Sequence, residues 1–227
     1  MTPRPRREDR LPDLYNAIKE TAWKQITEFG ASALNLRAIA RSLGITAPSI
    51  YNYFPSRDDL VTALIVDAYN SLAESQEAVL ERSLTDSLSR QLYLLGFAYR
   101  DWVVAYPQRY QLIFGTPIPN YHAPDEVTVP AATRALVPLI KVIQDLHSTN
   151  ALRSERLSAM TPELETMLKT WQEMEGGSDI EALYLALVVW SRLHGLVGLE
   201  IGHQYPPIID PAELFQREMN NMLIQYL

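Results

Sequence analysis

The chain has 227 residues, of which 47% are hydrophobic and 21% are charged, and this composition is that of a folded globular protein. It contains no cysteine, which excludes a disulfide scaffold, a thiolate metal site and a cysteine nucleophile. No uninterrupted apolar run reaches the ~20 residues that a membrane span needs, because Ser191, Arg192, His194 and Glu200 interrupt the longest one. We therefore expect a cytoplasmic protein without a membrane partner.

The net charge of −7 is unevenly distributed along the chain. The first 60 residues hold 9 basic and 7 acidic side chains, whereas the remaining 167 hold 11 basic and 20 acidic ones. An acidic surface repels phosphates, whose neutralisation supplies most of the non-specific affinity for nucleic acid. Any nucleic-acid contact is therefore expected at the N-terminal end, and the rest of the chain needs another role.

Helical spacing of apolar residues and capping residues recur along the whole chain, and no strand pattern is found. The sequence therefore predicts an all-α fold. A proline within the helix predicted at 129–148, Pro138, is expected to kink it. The predicted helices span 12–29, 36–43, 47–53, 56 to the low eighties, 86–105, 107–115, 129–148, 162–175, 179–203 and 211–226.

Two short predicted helices between residues 36 and 53 have the spacing of a helix-turn-helix. Ala40 is small enough for a close helix crossing, Gly44 accepts a positive φ in the turn, and Ile50 is a branched residue that faces the first helix. In such a motif the second helix can enter the DNA major groove. The same spacing also suits a helical corner inside an ordinary bundle, and both interpretations stay open on spacing alone.

Residues 29–60, FGASALNLRAIARSLGITAPSIYNYFPSRDDL, resemble the DNA-binding head of the tetracycline-repressor (TetR) family. The resemblance covers residue 12 to about 65. It implies a three-helix helix-turn-helix domain at 11–60 and a larger helical ligand-binding and dimerisation bundle at 61–227. It also implies a repressor that leaves a palindromic double-stranded operator when a small hydrophobic or aromatic effector binds. Separately, Trp190, His194 and Gly195 resemble the Trp/His/Gly element of one C-terminal subgroup of this family.

The resemblance implies DNA contacts at nine positions of the head. Arg37 matches a position that reaches a groove edge or a phosphate, and a guanidinium suits bidentate contact with guanine. Tyr51 and Tyr53 match positions whose hydroxyl groups donate hydrogen bonds to phosphates, and Asn52 between these two tyrosines can read adenine. Arg57 matches a residue that binds a phosphate. Tyr53 can equally be a core residue with only its hydroxyl exposed. The first turn of the recognition helix, whose free N–H groups face phosphates or bases, adds Thr46, Ala47, Pro48 and Ser49.

Residues 1–10 form a basic arm that carries Arg4, Arg6, Arg7 and Arg10 among two prolines. We expect it to be disordered when the protein is alone. Two roles stay open for it, a minor-groove arm and a solvated tail.

The helix predicted at 179–203 is apolar on two opposite sides, so both sides must be covered. One side can pack within the chain, and a second copy of the chain is the simplest cover for the other. Three glycines on this helix are tolerated best where another helix approaches closely. Together with the last helix, this helix is predicted to form a four-helix homodimer interface, as in the family. The predicted interface residues are Leu193, Val197, Gly198, Ile201, Phe215, Met219 and Met222.

Large aromatic side chains recur at helical spacing in the C-terminal part, and they suit either a small-molecule cavity or a core of bulky residues. His194 on an apolar stripe is more often a satisfied buried histidine than a ligand contact, although its place in the Trp/His/Gly resemblance favours a functional role. The predicted ligand-binding set is Tyr99, Trp102, Tyr106, Tyr110, Phe114, Met167, Trp171, Trp190 and His194.

The sequence offers two alternatives to a regulator. Glu200 and His203 have half of the spacing of a di-iron carboxylate site, but the second Glu-x-x-His is missing, which argues against a metalloenzyme. No phosphate-binding glycine loop or nucleophile elbow is present, so we expect no catalytic residues, no metal and no cofactor. A helical dimeric adaptor without DNA binding is the other alternative.

Overall fold

The computed structural model describes residues 7–153, 159–175 and 177–227, with side chains at 13–153, 159–173 and 177–227. Every regular element in this part of the chain is helical, so the expected all-α fold is confirmed. The N-terminal elements are α1 (Arg7–Phe29), a short 3-10 helix (Ala31–Ala33), α2 (Leu36–Ser42), α3 (Ala47–Tyr51) and α4 (Arg57–Arg82). The later elements are α5 (Leu88–Ala105), α6 (Pro107–Phe114), α7 (Asp125–Ser148), α8 (Pro162–Glu175), α9 (Ile180–Ile201) and α10 (Pro211–Tyr226).

Helices α1, α3 and α7 are among those that begin or end at residues other than those predicted from the sequence. α1 begins at Arg7, ahead of Pro12, in the stretch REDRL, which contains two arginines, one glutamate and one leucine that favour helix. α3 ends at Tyr51 and not at residue 53, because the chain turns towards Pro55 with Tyr53 N and Phe54 N both donating to Ile50 O. α7 begins at Asp125 and not at residue 129, since two acidic residues in its first turn complement the helix dipole. α7 continues as one helix past Pro138, and the kink stays a prediction.

The chain divides into two compact units, which are described separately. Unit 1 comprises the residues up to Tyr69 together with Gln108–Ala132. It therefore holds α1 to α3, the first half of α4, most of α6 and the start of α7, and it extends beyond the DNA-binding domain predicted at 11–60. Its core is formed by apolar side chains that include Ile18, Ala22, Ile39, Ile50, Leu60 and Leu64.

Segment 108–132 packs against the helices of the predicted head inside unit 1. The guanidinium of Arg109 lies 5.3 Å from the ring centre of Trp23 in α1. Ile118 is buried in the same core as the head helices, and Tyr121 Oη lies 2.9 Å from Thr62 Oγ1 of α4. These contacts fix α6 and the loop after it to α1 and α4.

Unit 2 comprises Asn70–Pro107 and Thr133–Leu227. Gly96 of α5 lies so close to α10 that a Cβ atom there would be 2.5 Å from Met219 Sδ. An ion pair joins α5 to α9, where Arg100 Nε donates to Glu200 Oε2 at 2.8 Å. The largest fully buried side chains of this unit are Leu95, Ile143, Leu146, Leu183, Leu185, Phe215 and Met219.

Among the described residues one helix, α9, is long and apolar enough to cross a membrane on length and composition alone. The core helix of a soluble protein passes the same test. Seven of its residues are buried within unit 2, among them Leu183 and Val197, and this accounts for much of its apolar character. The absence of a membrane partner stays a prediction.

Candidate nucleic-acid interface

The turn between α2 and α3 has the backbone geometry that the spacing predicts. The side chain of Asn35 caps α2 by accepting a hydrogen bond from Ala38 N at 3.1 Å. Gly44 has φ of +65°, a value that favours glycine, and Ile45 N then donates to Ala40 O at 3.0 Å. The chain thus leaves α2 through a tight left-handed turn at Gly44, and four residues separate the end of α2 at Ser42 from the start of α3 at Ala47.

One side of α3 is anchored in the core of unit 1. Ile50 is fully buried, and Phe54, just after the helix, is 2% exposed and stacks on Tyr15 of α1 with ring centres 4.9 Å apart. Burial of these two side chains fixes the rotation of α3 about its own axis. The residues on the remaining sides of α3 therefore face outward.

The outward side of α3 carries the predicted DNA contacts. Tyr51 and Asn52 are exposed, as are Thr46 and Pro48 at the start of the helix. Thr46 Oγ1 and Ser49 Oγ lie 2.8 Å apart, so these hydroxyls bond to each other and Thr46 makes no side-chain cap. Ala47, Ser49 and Tyr53 are half-buried at the edges of this face.

A capping box fixes the start of α4, where Arg57 is the first residue. Ser56 N donates to Asp59 Oδ2 at 2.8 Å, and Asp59 N donates to Ser56 Oγ at 3.1 Å. Arg57 is half-buried and has only a loose ion pair, 3.9 Å from Nη1 to Asp58 Oδ1. Its Nε atom is buried without a hydrogen-bond partner among the described residues. A buried donor left unpaired is costly.

Arg37 is exposed in the first turn of α2, in agreement with a role at the surface. Arg41 lies four residues later on the same helix and is exposed as well. It was not among the predicted contacts, although the four-residue spacing from Arg37 places both guanidinium groups on one face. Of the basic arm, Arg4 and Arg6 lie outside the described residues, while the backbone at Arg7 and Arg10 belongs to α1.

Part of the predicted ligand set comes together in unit 2. Tyr99 Oη lies 3.0 Å from His194 Nδ1, and the Trp190 ring centre lies 4.9 Å from that of His194. Burial lowers the pKa of His194, which favours the neutral imidazole. Trp102 is buried, donates from Nε1 to Ser71 Oγ at 3.1 Å, and lies 6.1 Å from the ring of Tyr106.

The rest of that set is distributed differently. Tyr110 and Phe114 belong to unit 1, where their ring centres are 5.4 Å apart and Phe114 meets Tyr69 edge-on at 5.9 Å. Met167 is 68% exposed on α8, so it does not line a buried cavity, and Trp171 on the same helix is half-buried. The aromatic residues that helical spacing grouped into one predicted ligand site therefore belong to two different units.

The predicted dimer interface requires a correction within unit 2. Most of its members point into the core of their own protomer and cannot form a free surface, namely Leu193, Val197, Phe215, Met219 and Met222. Gly198 and Ile201 are half-buried. The exposed side of α9 includes Gly195, where an added Cβ would meet no atom within 4 Å, and Leu199, which is 40% exposed. A partner helix would have to pack on this side.

No group of three or more His, Asp or Glu side chains with metal-site geometry occurs in the described part of the chain. Glu200, which the sequence paired with His203, instead forms the ion pair with Arg100. The structure thus uses this carboxylate to join α5 to α9.

A capped first helix, a glycine turn and a second helix with one buried and one outward face define a helix-turn-helix DNA-binding protein. The family model described as bacterial regulatory proteins, tetR family, matches residues 18–64. A second family model, the tetracyclin repressor-like C-terminal domain, matches residues 92–222. The chain belongs to the TetR family of transcriptional regulators.

Relatives and solved structures agree with this assignment over nearly the whole chain. The HTH-type transcriptional regulator Rv1816 of Mycobacterium tuberculosis is 32% identical over 215 residues, which cover 94% of this chain and 92% of that protein. The corresponding regulator Mb1846 of Mycobacterium bovis gives the same figures. The crystal structure of regulatory protein SCO4313 is 35% identical with a TM-score of 0.77, and the match covers 98% of this chain and 99% of that one.

Family membership decides between the classes that the sequence left open. The chain is a DNA-binding transcriptional regulator and not an enzyme, since the family and the named relatives are regulators. Family membership also excludes the alternative function of a helical adaptor that does not bind DNA. The resemblance of Trp190, His194 and Gly195 to one subgroup stays a prediction.

Proposed function

We propose that the protein is a cytoplasmic homodimeric repressor that leaves a palindromic operator when a small hydrophobic or aromatic effector binds. The observation that carries this proposal is the outward side of α3, whose buried side is anchored by Ile50 while Tyr51 and Asn52 are exposed. One short helix reads only a half-site. A regulator of this kind therefore needs two copies for a specific operator.

The exposed side of α9 supports the homodimer. Glycine costs up to ~1 kcal/mol relative to alanine within a helix, and this cost is offset where a missing side chain lets another helix approach. Gly195 has open space at its Cβ position although Leu193 and Val197 beside it are buried. A second α9 on this side would give a two-fold dimer, whose two recognition helices fit half-sites ~34 Å or a multiple apart.

The way in which α3 reads DNA follows from its outward residues. Ala47 and Pro48 offer only apolar contact, and the hydroxyls of Thr46 and Ser49 are bonded to each other. Arg37, Asn52 and the tyrosines then supply the polar contacts, with phosphates as the main targets. We propose that specificity comes mainly from DNA shape and thymine methyl groups, with few direct base hydrogen bonds.

The effector is proposed to bind at the aromatic residues of unit 2 around His194. Tyr99, Trp190 and the neutral imidazole of His194 combine apolar walls with few polar groups, as small-molecule sites do. An effector that prefers one conformation by ~1 to 3 kcal/mol would weaken operator binding about 5- to 150-fold. The contact of Arg109 with Trp23 supports α6 as the helix that passes the change to the head.

This function is tested with the full-length protein and fluorescently labelled DNA from the region upstream of its own gene. Fluorescence anisotropy should show tight binding that weakens steeply as salt rises, with one dimer per palindrome. A hydrophobic compound that releases the DNA would identify the effector. Activation of transcription from the bound promoter, in place of repression, would contradict the proposed output.

Arg57→Ala is expected to weaken binding to every DNA sequence about equally, because a phosphate contact carries no sequence information. The slope of log affinity against log salt concentration should decrease by about 1. Arg82→Ala makes the same charge change at a residue of unit 2, where Arg82 Nε donates to Ala78 O, and should leave the slope unchanged. An unaltered slope in Arg57→Ala would refute the phosphate contact.

A further inference from the structure

A tight turn over Ile118–Tyr121 lies in the connection between α6 and α7, within unit 1. Tyr121 N donates to Ile118 O at 3.2 Å, which closes the turn. Pro119 takes its second position, and Asn120 takes its third with φ of +61°, a combination typical of a type II turn. Asparagine tolerates this positive φ better than most residues do. The first and last residues of such a turn lie within about 7 Å of each other, so Ile118 and Tyr121 are brought side by side.

Both of these residues pack on the helices of the head. Ile118 is 8% exposed and belongs to the core that contains Ile39 and Ile50 of the helix-turn-helix. Tyr121 packs against the same core, and its hydroxyl oxygen lies 2.9 Å from Thr62 Oγ1 of α4. Burial is the main cause that raises the pKa of Tyr121, so the phenol keeps its proton at neutral pH and can donate it to Thr62. The turn is therefore joined to α4 by a hydrogen bond as well as by apolar packing.

This hydrogen bond holds α4 on the side away from Leu60 and Leu64. The two leucines are fully buried and anchor one side of the helix in the core of unit 1. Each residue turns an α-helix by about 100°, so Thr62 lies about 160° from both leucines around the helix axis. The first two turns of α4 are thus held between the core and Tyr121.

The position of these turns matters for DNA binding because Arg57 is the first residue of α4. Asp58, whose Oδ1 lies 3.9 Å from Arg57 Nη1, is one helical turn before Thr62 and shares its face. The carboxylate of Asp58 also contributes to the raised pKa of Tyr121, so it lies near the Tyr121 hydroxyl. Because Nε of Arg57 is buried, the position of its guanidinium group follows that of the helix start. A shift or rotation of the first turn would therefore carry the guanidinium group away from a phosphate.

We propose that Tyr121 is a positioning residue for DNA binding, which holds the first two turns of α4 through Thr62 and so directs Arg57 at an operator phosphate. Tyr121 lies outside residues 18–64, which match the tetR family model, and within residues 92–222, which match the C-terminal one. The inference rests on the phosphate contact that is proposed above for Arg57. It adds that the connection between α6 and α7 contributes to operator affinity without contacting DNA.

Fluorescence anisotropy with the full-length protein and the labelled upstream DNA tests this role in a double-mutant cycle. Tyr121→Phe removes only the hydroxyl and should weaken DNA binding about 3- to 10-fold in the otherwise unchanged protein. In the Arg57→Ala background the same substitution should weaken binding less than about 2-fold, because the side chain that Tyr121 positions is absent. Equal losses in both backgrounds, or no loss in either, would overturn the positioning role, since a general weakening of the fold acts in both.

Substitutions of the partner residue make the test independent of one variant. Thr62→Val removes the other hydroxyl at nearly constant shape and should reproduce the loss of affinity in Tyr121→Phe. Thr62→Ser keeps a hydroxyl and should bind DNA nearly as well as the unchanged protein. Tyr93→Phe makes the same chemical change at a half-buried residue of unit 2 and should leave the affinity unchanged. Full DNA binding by Thr62→Val would contradict the role assigned to the hydrogen bond.

The salt dependence separates failure of this inference from failure of the proposed function. Tyr121→Phe should lower the slope of log affinity against log salt concentration towards that of Arg57→Ala, because one phosphate is neutralised less completely. If Arg57→Ala leaves the slope unchanged, the phosphate contact fails and the positioning role fails with it. If Arg57→Ala lowers the slope but Tyr121→Phe causes equal losses in both backgrounds, only the role of Tyr121 fails.

Discussion

Replacement of Ile50 by alanine is expected to lower the free energy of unfolding by about 2–5 kcal/mol, the usual cost of removing a large aliphatic side chain from a packed core. Ile50 is fully buried in the core of unit 1 and fixes the rotation of α3. Operator binding should fall with stability, because α3 would lose its orientation. Urea unfolding followed by circular dichroism measures the first effect, and fluorescence anisotropy measures the second.

The neighbouring residue provides the matched control. Tyr51 is 39% exposed, and Tyr51→Phe removes only its hydroxyl. The free energy of unfolding should change by less than about 0.5 kcal/mol, while operator affinity should fall about 3- to 10-fold with the loss of one phosphate contact. If Ile50→Ala left stability unchanged, or Tyr51→Phe left affinity unchanged, the assignment of the two sides of α3 would be wrong.

Gly195→Arg is expected to convert the dimer into a folded monomer. A side chain at this position meets open space within the protomer, and arginine favours helix more than glycine does. In a dimer packed on this side of α9, the same side chain would collide with the partner helix. Light scattering should show half the mass, and operator affinity should fall at least ~100-fold because the two half-sites are no longer bound together.

Val197→Arg separates loss of the dimer from loss of the fold. Val197 is fully buried within its own protomer, so an arginine there would be an unpaired buried charge, and we expect loss of helical structure. The substitution thus differs from Gly195→Arg in mechanism, although the two residues are one half-turn apart. A Gly195→Arg protein that remains dimeric and binds its operator would place the interface on another surface.

The helices could be predicted well because their signals are local. Asn35 and Asp210 are residue types that cap helices, and each accepts a backbone hydrogen bond at the start of its helix. Gly44 was assigned to the turn, and it has the positive φ that the turn requires. The bounds of α8 and α10 agree with the prediction at both ends.

Periodicity could not predict which side of α9 packs inside the protomer. Both sides of this helix are apolar, so the spacing shows that two surfaces must be covered but not which one the same chain covers. Leu193 and Val197 were assigned to the dimer and lie in the protomer core. Gly195, one of the three glycines predicted at a close helix approach, is exposed and lies on the side of α9 where the dimer is proposed.

The partners of α6 also depend on long-range packing. Tyr110 and Phe114 follow Tyr106 at helical spacing, and the sequence joined them to one aromatic set. The fold instead packs this segment on α1 and α4 through Arg109 and Ile118. No local pattern indicates which helix a short apolar segment will meet.

The outward side of the helix-turn-helix is the surface that we expect to meet DNA, and the proposed function depends on this contact. Hydrogen–deuterium exchange of the full-length protein, with its operator and with an unrelated duplex, measures this directly. We predict that the operator protects amides between Leu36 and Arg57 and that the unrelated duplex protects them much less at physiological salt. Protection of other segments by the operator, with unchanged exchange between these two residues, would contradict the account.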